Sequence, residues 1–222
     1  MPNHQNTLIV RDLGLQEYKP IWQAMQKFTA ERNNSTADEL WCLQHPPIFT
    51  MGLNGKEKHL LNIDNIPVIN IDRGGQVTYH APGQLIIYTL IDLARLNIGV
   101  KDLVNIIERS IIQLLARYKI IARGKENAPG VYVEQEKIAA LGLRIKRNKS
   151  YHGLSLNIDM DLNPFLQINP CGYEGLQVTQ ITDHIQETSF NQIQQELVSI
   201  ISRNLGYEKI SNKTSIYDHL PS

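Results

Sequence analysis

The sequence predicts an α+β fold, in which a block of strands packs against separated helices. Three observations carry that reading. Apolar residues recur at helical spacing in three stretches far apart: Tyr18 to Thr29, Val100 to Tyr118 and Phe190 to Ile201. Between the second and the third, strand-like runs cluster and are joined by a hairpin signal, not by further helices. No linker, repeat or low-complexity tract divides the 222 residues, so one domain, 1–222, is expected.

Thr7 to Val10 open the chain as a short strand, and Tyr18, Ile21, Trp22, Met25, Phe28 and Thr29 give an amphipathic helix over about residues 15–32. Glu39 to Leu43 return to strand character, with Cys42 a core residue between Trp41 and Leu43. His45-Pro46-Pro47 stops that strand, Ile48 to Gly52 follow, and Asn54 to Lys58 form a polar loop. Asp64 to Ile71, with Pro67 at its start, lead into Arg73-Gly74-Gly75-Gln76-Val77-Thr78-Tyr79-His80. A double glycine there lets backbone N–H groups approach an anion or a carbonyl, and Arg73, Tyr79 and His80 add groups able to grip a ligand. Neither a Walker loop nor a dinucleotide GxGxxG is formed.

Leu85 to Leu93 are almost continuously apolar, as in a strand covered on both faces. Val100, Leu103, Val104, Ile107, Ile111, Leu114, Leu115 and Tyr118 mark the longest helix, and a loop from Arg123 to Pro129 follows it. Val131 to Glu134 and Lys137 to Ile145 then read as a hairpin around Gln135-Glu136. In a regular strand Lys137 shares a face with Ala139, Leu141, Leu143 and Ile145, an inward-facing lysine. Gly142 marks a bulge or a close approach. Leu154 to Met160 form a further strand, before Asn163-Pro164 and Asn169-Pro170 lead to Cys171-Gly172. Cys171 thus sits in a Pro/Gly-framed loop, where reactive groups are commonly held. Val178 to Ile181 suggest a short strand, and the last helix is capped by Thr188 or Ser189.

Composition bounds the function. Hydrophobic residues make up 42% and charged residues 20%, with a formal net charge of zero, which argues against a nucleic-acid partner. The start, MPNHQNTLIVRDLGL, lacks the basic-then-apolar order of a signal peptide, and no apolar run is long enough to span a bilayer. Two cysteines, Cys42 and Cys171, make a poor disulfide framework, so a reducing cytoplasm is expected. The seven histidines never pair with Cys, His or a carboxylate at metal-ligand spacing, so no metal is expected. No cofactor is expected either.

Four stretches, RGGQVTYHAPGQ, KIAALGLRI, HGLSLNI and INPCGY, stand in order over most of the chain up to about His184. With them the sequence resembles the bacterial lipoyl(octanoyl) transferases. The resemblance implies a mixed β-sheet with helices packed against it, similar to the catalytic domain of biotin and lipoate protein ligases. It implies transfer of an octanoyl group from octanoyl-acyl carrier protein to a lysine of an apo lipoyl domain. The acceptors would be the E2 subunits of 2-oxoacid dehydrogenases and the glycine cleavage H protein. By motif, Cys171 would be the nucleophile and Lys137 the residue that activates it. Arg73, Gly74, Gly75, Gln76, Val77, Thr78, Tyr79, His80, Ala140, Leu141, Gly142, Gly153, Leu154 and Ser155 would line the acyl site.

The chemistry fits these residue types. A free thiol of pKa ~8.5 is only about 3% thiolate at pH 7. An ammonium ~4 Å away, at an effective dielectric near 20, favours the thiolate by about 4 kcal/mol before desolvation. Whether Lys137 is also a base for the incoming lysine stays open, as does the choice of oxyanion donor among N–H groups near Gly142 or Cys171. An ATP-dependent lipoate or biotin ligase is the rival enzyme, with no use for a cysteine nucleophile. A non-catalytic lipoyl-domain binding module is the rival outside enzymes.

Overall fold

A computed structural model describes residues 7–126 and 128–215. The leading six residues, read above for a leader, Asn127 in the expected 123–129 loop, and residues 216–222 of the expected domain lie outside the described residues.

The order is β1 (Thr7–Leu15), α1 (Tyr18–Glu31), β2 (Asp38–Gln44), β3 (Ile48–Met51), β4 (Val68–Asn70), β5 (Val77–His80) and β6 (Gln84–Leu90). Then come α2 (Leu93–Leu96), α3 (Val100–Arg117), β7 (Ala122–Gly124), β8 (Gly130–Val133), β9 (Glu136–Lys146), β10 (Lys149–Asn157), α4 (Phe190–Asn204) and β11 (Lys209–Lys213). Eight strands form one mixed sheet in the order β11-β1-β2-β6-β10-β9-β8-β7. β1 runs parallel to β11 and β2, and the remaining pairs are antiparallel. A small sheet, β4-β3-β5, stands beside it.

Strand alternation makes two cores. Along β6, Leu85 and Ile87 join the α3/α4 core, while Ile86, Tyr88 and Leu90 join the α1 core. Helices therefore cover both faces, which is why this strand reads as an unbroken apolar run. β2 divides likewise, with Leu40 and Cys42 on the α3/α4 side and Trp41 and Leu43 on the α1 side. Phe49, Val77, Tyr79 and Phe165 build a third cluster under the small sheet.

Several expectations are corrected. β1 runs on to Leu15 through a bulge between Asp12 and Gly14, past the expected end at Val10. β7 lies inside the expected loop, and β11 follows the last helix. All five residues of β11 are exposed, so only its pairing with β1 defines it. Val178 to Ile181 are not a strand: Val178 makes one bridge to Lys137, and Ile181–Asp183 is a 3-10 turn. The last helix starts at the expected cap, with the Ser189 hydroxyl accepting from the Gln192 N–H.

The register prepares a site. On the α1 face, Tyr88, Gly153 and Gly142 fall in one row across β6, β10 and β9, and Ile86, Ser155 and Ala140 in the next. Four small residues in adjacent cross-strand pairs leave the sheet surface bare there, between larger neighbours on β6.

Candidate active site

Lys137 reaches the site through a bulge. Val131 pairs with Ala139 and Tyr132 with Lys137, so Ile138 is the extra residue on β9. Ile138 and Ala139 both enter the α3/α4 core with Val131 and Val133. The bulge reverses the alternation, so Lys137 faces with Tyr132 and leaves the face of Ala139, Leu141 and Leu143. This corrects the regular-strand reading of Lys137. Of the two readings of Gly142, a bulge or a close approach, the second holds: a Cβ there would lie 2.9 Å from Arg73 Cδ and 3.3 Å from Gly74 O. The Lys137 backbone is fixed on both sides, its N–H donating to Gln177 O at 2.9 Å and its carbonyl accepting from Thr179 N–H at 3.1 Å.

Cys171 occupies the middle of the 3-10 turn Pro170–Gly172, with φ 56°, and Gly172 follows at φ 79°. A left-handed conformation costs a non-glycine residue about 1 kcal/mol. It is held by anchoring on both sides of the turn. Asn169 N–H donates to His59 O at 2.9 Å, and Gly172 N–H returns to Asn169 O at 2.9 Å. Lys137 Nζ lies 3.1 Å from Cys171 Sγ and 3.1 Å from Pro129 O, with the Tyr132 ring 5.1 Å away. Lys137 is only 3% exposed. Burial pulls its pKa down, but the charges of Cys171 and Tyr132 outweigh burial, and the net direction is upward. Lys137 therefore stays an ammonium beside the sulfur. Cys42 is fully buried, and burial pushes its thiol far above the ordinary range, leaving it inert.

The cleft over the bare rows is open to solvent, takes in roughly 480 Å³ of empty space with that solvent included, and is lined in part by Cys171. Of the residues expected to line it, Arg73, Gly75, Gln76, Val77, Thr78, His80, Ala140, Leu141, Gly142, Gly153, Leu154 and Ser155 do so. Two do not. Tyr79 alternates away from Thr78 and His80 into the third cluster, where its ring packs 5.3 Å from Phe49 and 5.4 Å from Phe165. Gly74 lines a second groove, of about 990 Å³, which meets the cleft at Gly75, Gln76, Leu141, Gly142 and Cys171. Within the double glycine, Gly74 N–H donates to Leu143 O on the free edge of β9, and Gly75 O accepts from Asn54 N–H. A Cβ at Gly52 would lie 2.6 Å from Gly75 O, so the pair serves close packing.

Arg73 is buried and held by Thr50 O at 2.7 Å, Thr50 Oγ1 at 3.0 Å and Gly74 O at 3.0 Å. Burial lowers its pKa, opposed by Tyr18 and Cys171; the guanidinium keeps its charge and is a second cation facing the sulfur. His80 Nδ1 donates to Gln84 Oε1 at 2.7 Å, because the Gln84 amide nitrogen is already turned to Asn157. Its Nε2 faces the Thr50 hydroxyl at 3.3 Å, and burial lowers the His80 pKa to about 3, so the ring is neutral.

Sequence reasoning missed Tyr18, Ile86, Tyr88 and His152, which complete the cleft. Tyr18 and Tyr88 were absorbed into apolar patterns, and their hydroxyls were the available signal. His152 is the first residue of the HGLSLNI stretch, has φ 60°, and turns Nε2 to Asp72 at 3.0 Å. The basic turn Arg144, Lys146, Arg147 and Lys149 lies at the other end of the hairpin. Nine residues of strand put it about 30 Å from Lys137.

Among the described residues no helix is long and apolar enough to cross a membrane, and no three His, Cys, Asp or Glu side chains group as a metal site.

Comparisons with known proteins give the family and the fold. The family profile for the lipoyl protein ligase A/B catalytic domain matches residues 17–202. An octanoyltransferase of Cellvibrio japonicus is 56% identical over 202 residues, covering 90% of this chain and 94% of that protein. One from Shewanella loihica is 50% identical over 218 residues, covering 98% and 100%. Among solved structures, a bipartite lipoate protein ligase of Thermoplasma acidophilum superposes with TM-score 0.73 at 13% identity, over 95% of this chain and 86% of that one. The biotin protein ligase of Aquifex aeolicus with biotin and ATP gives 0.56 at 13% identity, over 90% and 70%. At such identities the structural likeness concerns the fold alone.

Proposed function

The chain belongs to the lipoyl protein ligase A/B catalytic-domain family and is an octanoyltransferase of protein lipoylation, and from that premise we propose a two-step route through Cys171. Residues 1–222 act as one catalytic unit. The donor is octanoyl-acyl carrier protein, and the acceptors are apo lipoyl domains of 2-oxoacid dehydrogenase E2 subunits and the glycine cleavage H protein. The observation that carries the reading is the 3.1 Å contact between Lys137 Nζ and Cys171 Sγ at the mouth of the cleft.

In the first step the Cys171 sulfur attacks the carrier thioester, and the new C–S bond replaces the old one. The departing carrier thiolate takes a proton from Lys137. Acylation removes the sulfur charge that holds the Lys137 pKa up, while its burial remains. A neutral Lys137 amine is then stable. In the second step the acceptor lysine, which sheds its ammonium proton to solvent, attacks the acyl carbon. Lys137 takes the second proton from that nitrogen as the amide forms, and Cys171 leaves as thiolate. The starting ion pair is restored, and one proton has gone to solvent. The same lysine thus serves as charge partner in the resting enzyme and as base in the acyl-enzyme.

The octanoyl chain lies over Ala140, Gly142, Gly153 and Ser155, with Ile86 and Tyr88 at its side and Thr78 and His80 opposite. Incubation with octanoyl-acyl carrier protein, without acceptor and without ATP, tests the route. One octanoyl group should appear on the Cys171 peptide. An adduct on Cys42, none at all, or a requirement for ATP overturns it.

A further inference from the structure

We propose that the side-chain carboxamide of Gln76 donates the hydrogen bond that holds the oxyanion formed when Cys171 attacks an acyl carbonyl. The inference deepens the two-step route and rests on Cys171 being the acylated residue.

Near the sulfur the Cys171 N–H has no backbone partner among the described residues and is left as one donor, but its neighbours are committed. Gly172 N–H is committed to Asn169 O at 2.9 Å and Tyr173 N–H to Pro170 O at 3.1 Å, so the two amides following Cys171 are used inside their own turn. Gly142, the other backbone candidate, lies within the β9–β10 ladder opposite Gly153. Lys137 Nζ already serves Cys171 Sγ and Pro129 O.

Gln76 is placed differently. Its amide lies flat against Gly172: a Cβ there would fall 2.7 Å from both Gln76 Cδ and Nε2 and 3.0 Å from Oε1. Gly172 has φ 79° and no side chain, and both properties are needed to seat the amide beside Cys171. Gln76 and Cys171 together line both the cleft and the second groove, so the amide stands where the two cavities meet at the sulfur. Among the described residues neither end of this amide has a protein partner, and Oε1 is buried without one. A buried amide oxygen left unsatisfied is unfavourable, and a ligand that bonds to it removes that cost.

The ligand chemistry follows from the two ends. Nε2–H donates to the acyl oxygen, most strongly when that oxygen carries the negative charge of the tetrahedral intermediate. Oε1 accepts an N–H, which the attacking acceptor amine supplies in the second step. In each step the charge moves from sulfur or nitrogen onto the acyl oxygen and back as the leaving group departs, and the amide gives and takes no proton.

The test pairs two reactions at the same sulfur in the full chain. Acylation by octanoyl-acyl carrier protein passes through an oxyanion; alkylation by iodoacetamide displaces iodide from a tetrahedral carbon and develops none. In Gln76→Met, single-turnover acylation should fall by about 10²–10³-fold, the usual loss for one oxyanion donor, while alkylation keeps its parental rate. Gln76→Ala repeats the measurement should the methionine variant fail to fold. Equal losses in both reactions would make Gln76 a support for the Cys171 turn and overturn the proposal, as would acylation at the parental rate. If the parent enzyme forms no adduct on Cys171, the two-step route fails and this inference falls with it. A parental adduct together with an unimpaired Gln76→Met sinks this inference alone.

Discussion

Ala140→Leu tests whether the bare cross-strand rows are the acyl floor. Ala140 pairs with Ser155 across β9 and β10, beside the Gly142–Gly153 pair, and lines the cleft. Leucine adds three carbons at this point. They occupy the room of two to three acyl methylenes and push the chain end out of the cleft. Each methylene returned to water costs ~0.8 kcal/mol, so octanoyl loses about 1.6 kcal/mol, roughly fifteenfold in kcat/KM. Hexanoyl, two methylenes shorter, fits the shortened floor and keeps its value within about fivefold, the spread set by side-chain repacking costs below ~1 kcal/mol. The assay is kcat/KM for octanoyl- and hexanoyl-acyl carrier protein with parent and variant, with thermal unfolding to verify the fold. The parent should favour octanoyl by roughly fifteenfold, and the variant should lose that preference. Equal falls for both chains would point to strain in β9 and not to displacement of the acyl tail. An unchanged preference would mean that the tail lies elsewhere, and either result refutes the assignment.

Further outcomes follow from the same geometry. Lys137→Arg keeps a cation but can neither give nor take a proton, so it should acylate Cys171 with the carrier thiolate protonated by solvent and then stall, accumulating the thioester; Lys137→Met should lose acylation as well. Parental turnover in Lys137→Met would remove the lysine from the mechanism. Burial holds His45 and His80 at about 4 and about 3, below the ordinary 6.5, so both stay neutral in the fold while the unfolded chain takes up their protons first. Their contribution is complete above pH 6.5 and declines as pH falls toward those values, with a loss of about 2 kcal/mol each at pH 5. Equal denaturant stability at pH 7.5 and pH 5 would contradict it. Charge reversal at Arg147, about 30 Å along the hairpin from Lys137, should leave the association rate with octanoyl-acyl carrier protein unchanged. A slowed, less salt-dependent association would place the docking surface at that turn.

Much of this was legible in the chain because burial writes itself into periodicity. β6 shows as an apolar run because helices cover both its faces, and α3 shows as an apolar stripe because one face enters a core. β11 was invisible for the converse reason: all five of its residues are exposed and only pairing with β1 defines it. Lys137 and Cys171 were legible as types in telling places, but their meeting depends on the bulge at Ile138. A bulge adds one residue without a composition signal, and the apolar Ile138 and Ala139 conceal the change of face. Tyr79 failed as a cleft residue because strict alternation in β5 sends it opposite to Thr78 and His80. Tyr18 and His152 are brought to the cleft by packing α1 on the sheet and by the β10 register, neither of which local pattern encodes.

The central claim is that the octanoyl group rests on Cys171 between donor and acceptor. Enzyme acylated by octanoyl-acyl carrier protein, freed of carrier, and mixed with an apo lipoyl domain measures it directly. The account predicts that octanoyl leaves the Cys171 peptide and appears on the acceptor lysine, at a rate no slower than steady-state turnover. An adduct that persists, or hydrolyses, while the complete mixture turns over normally would contradict it.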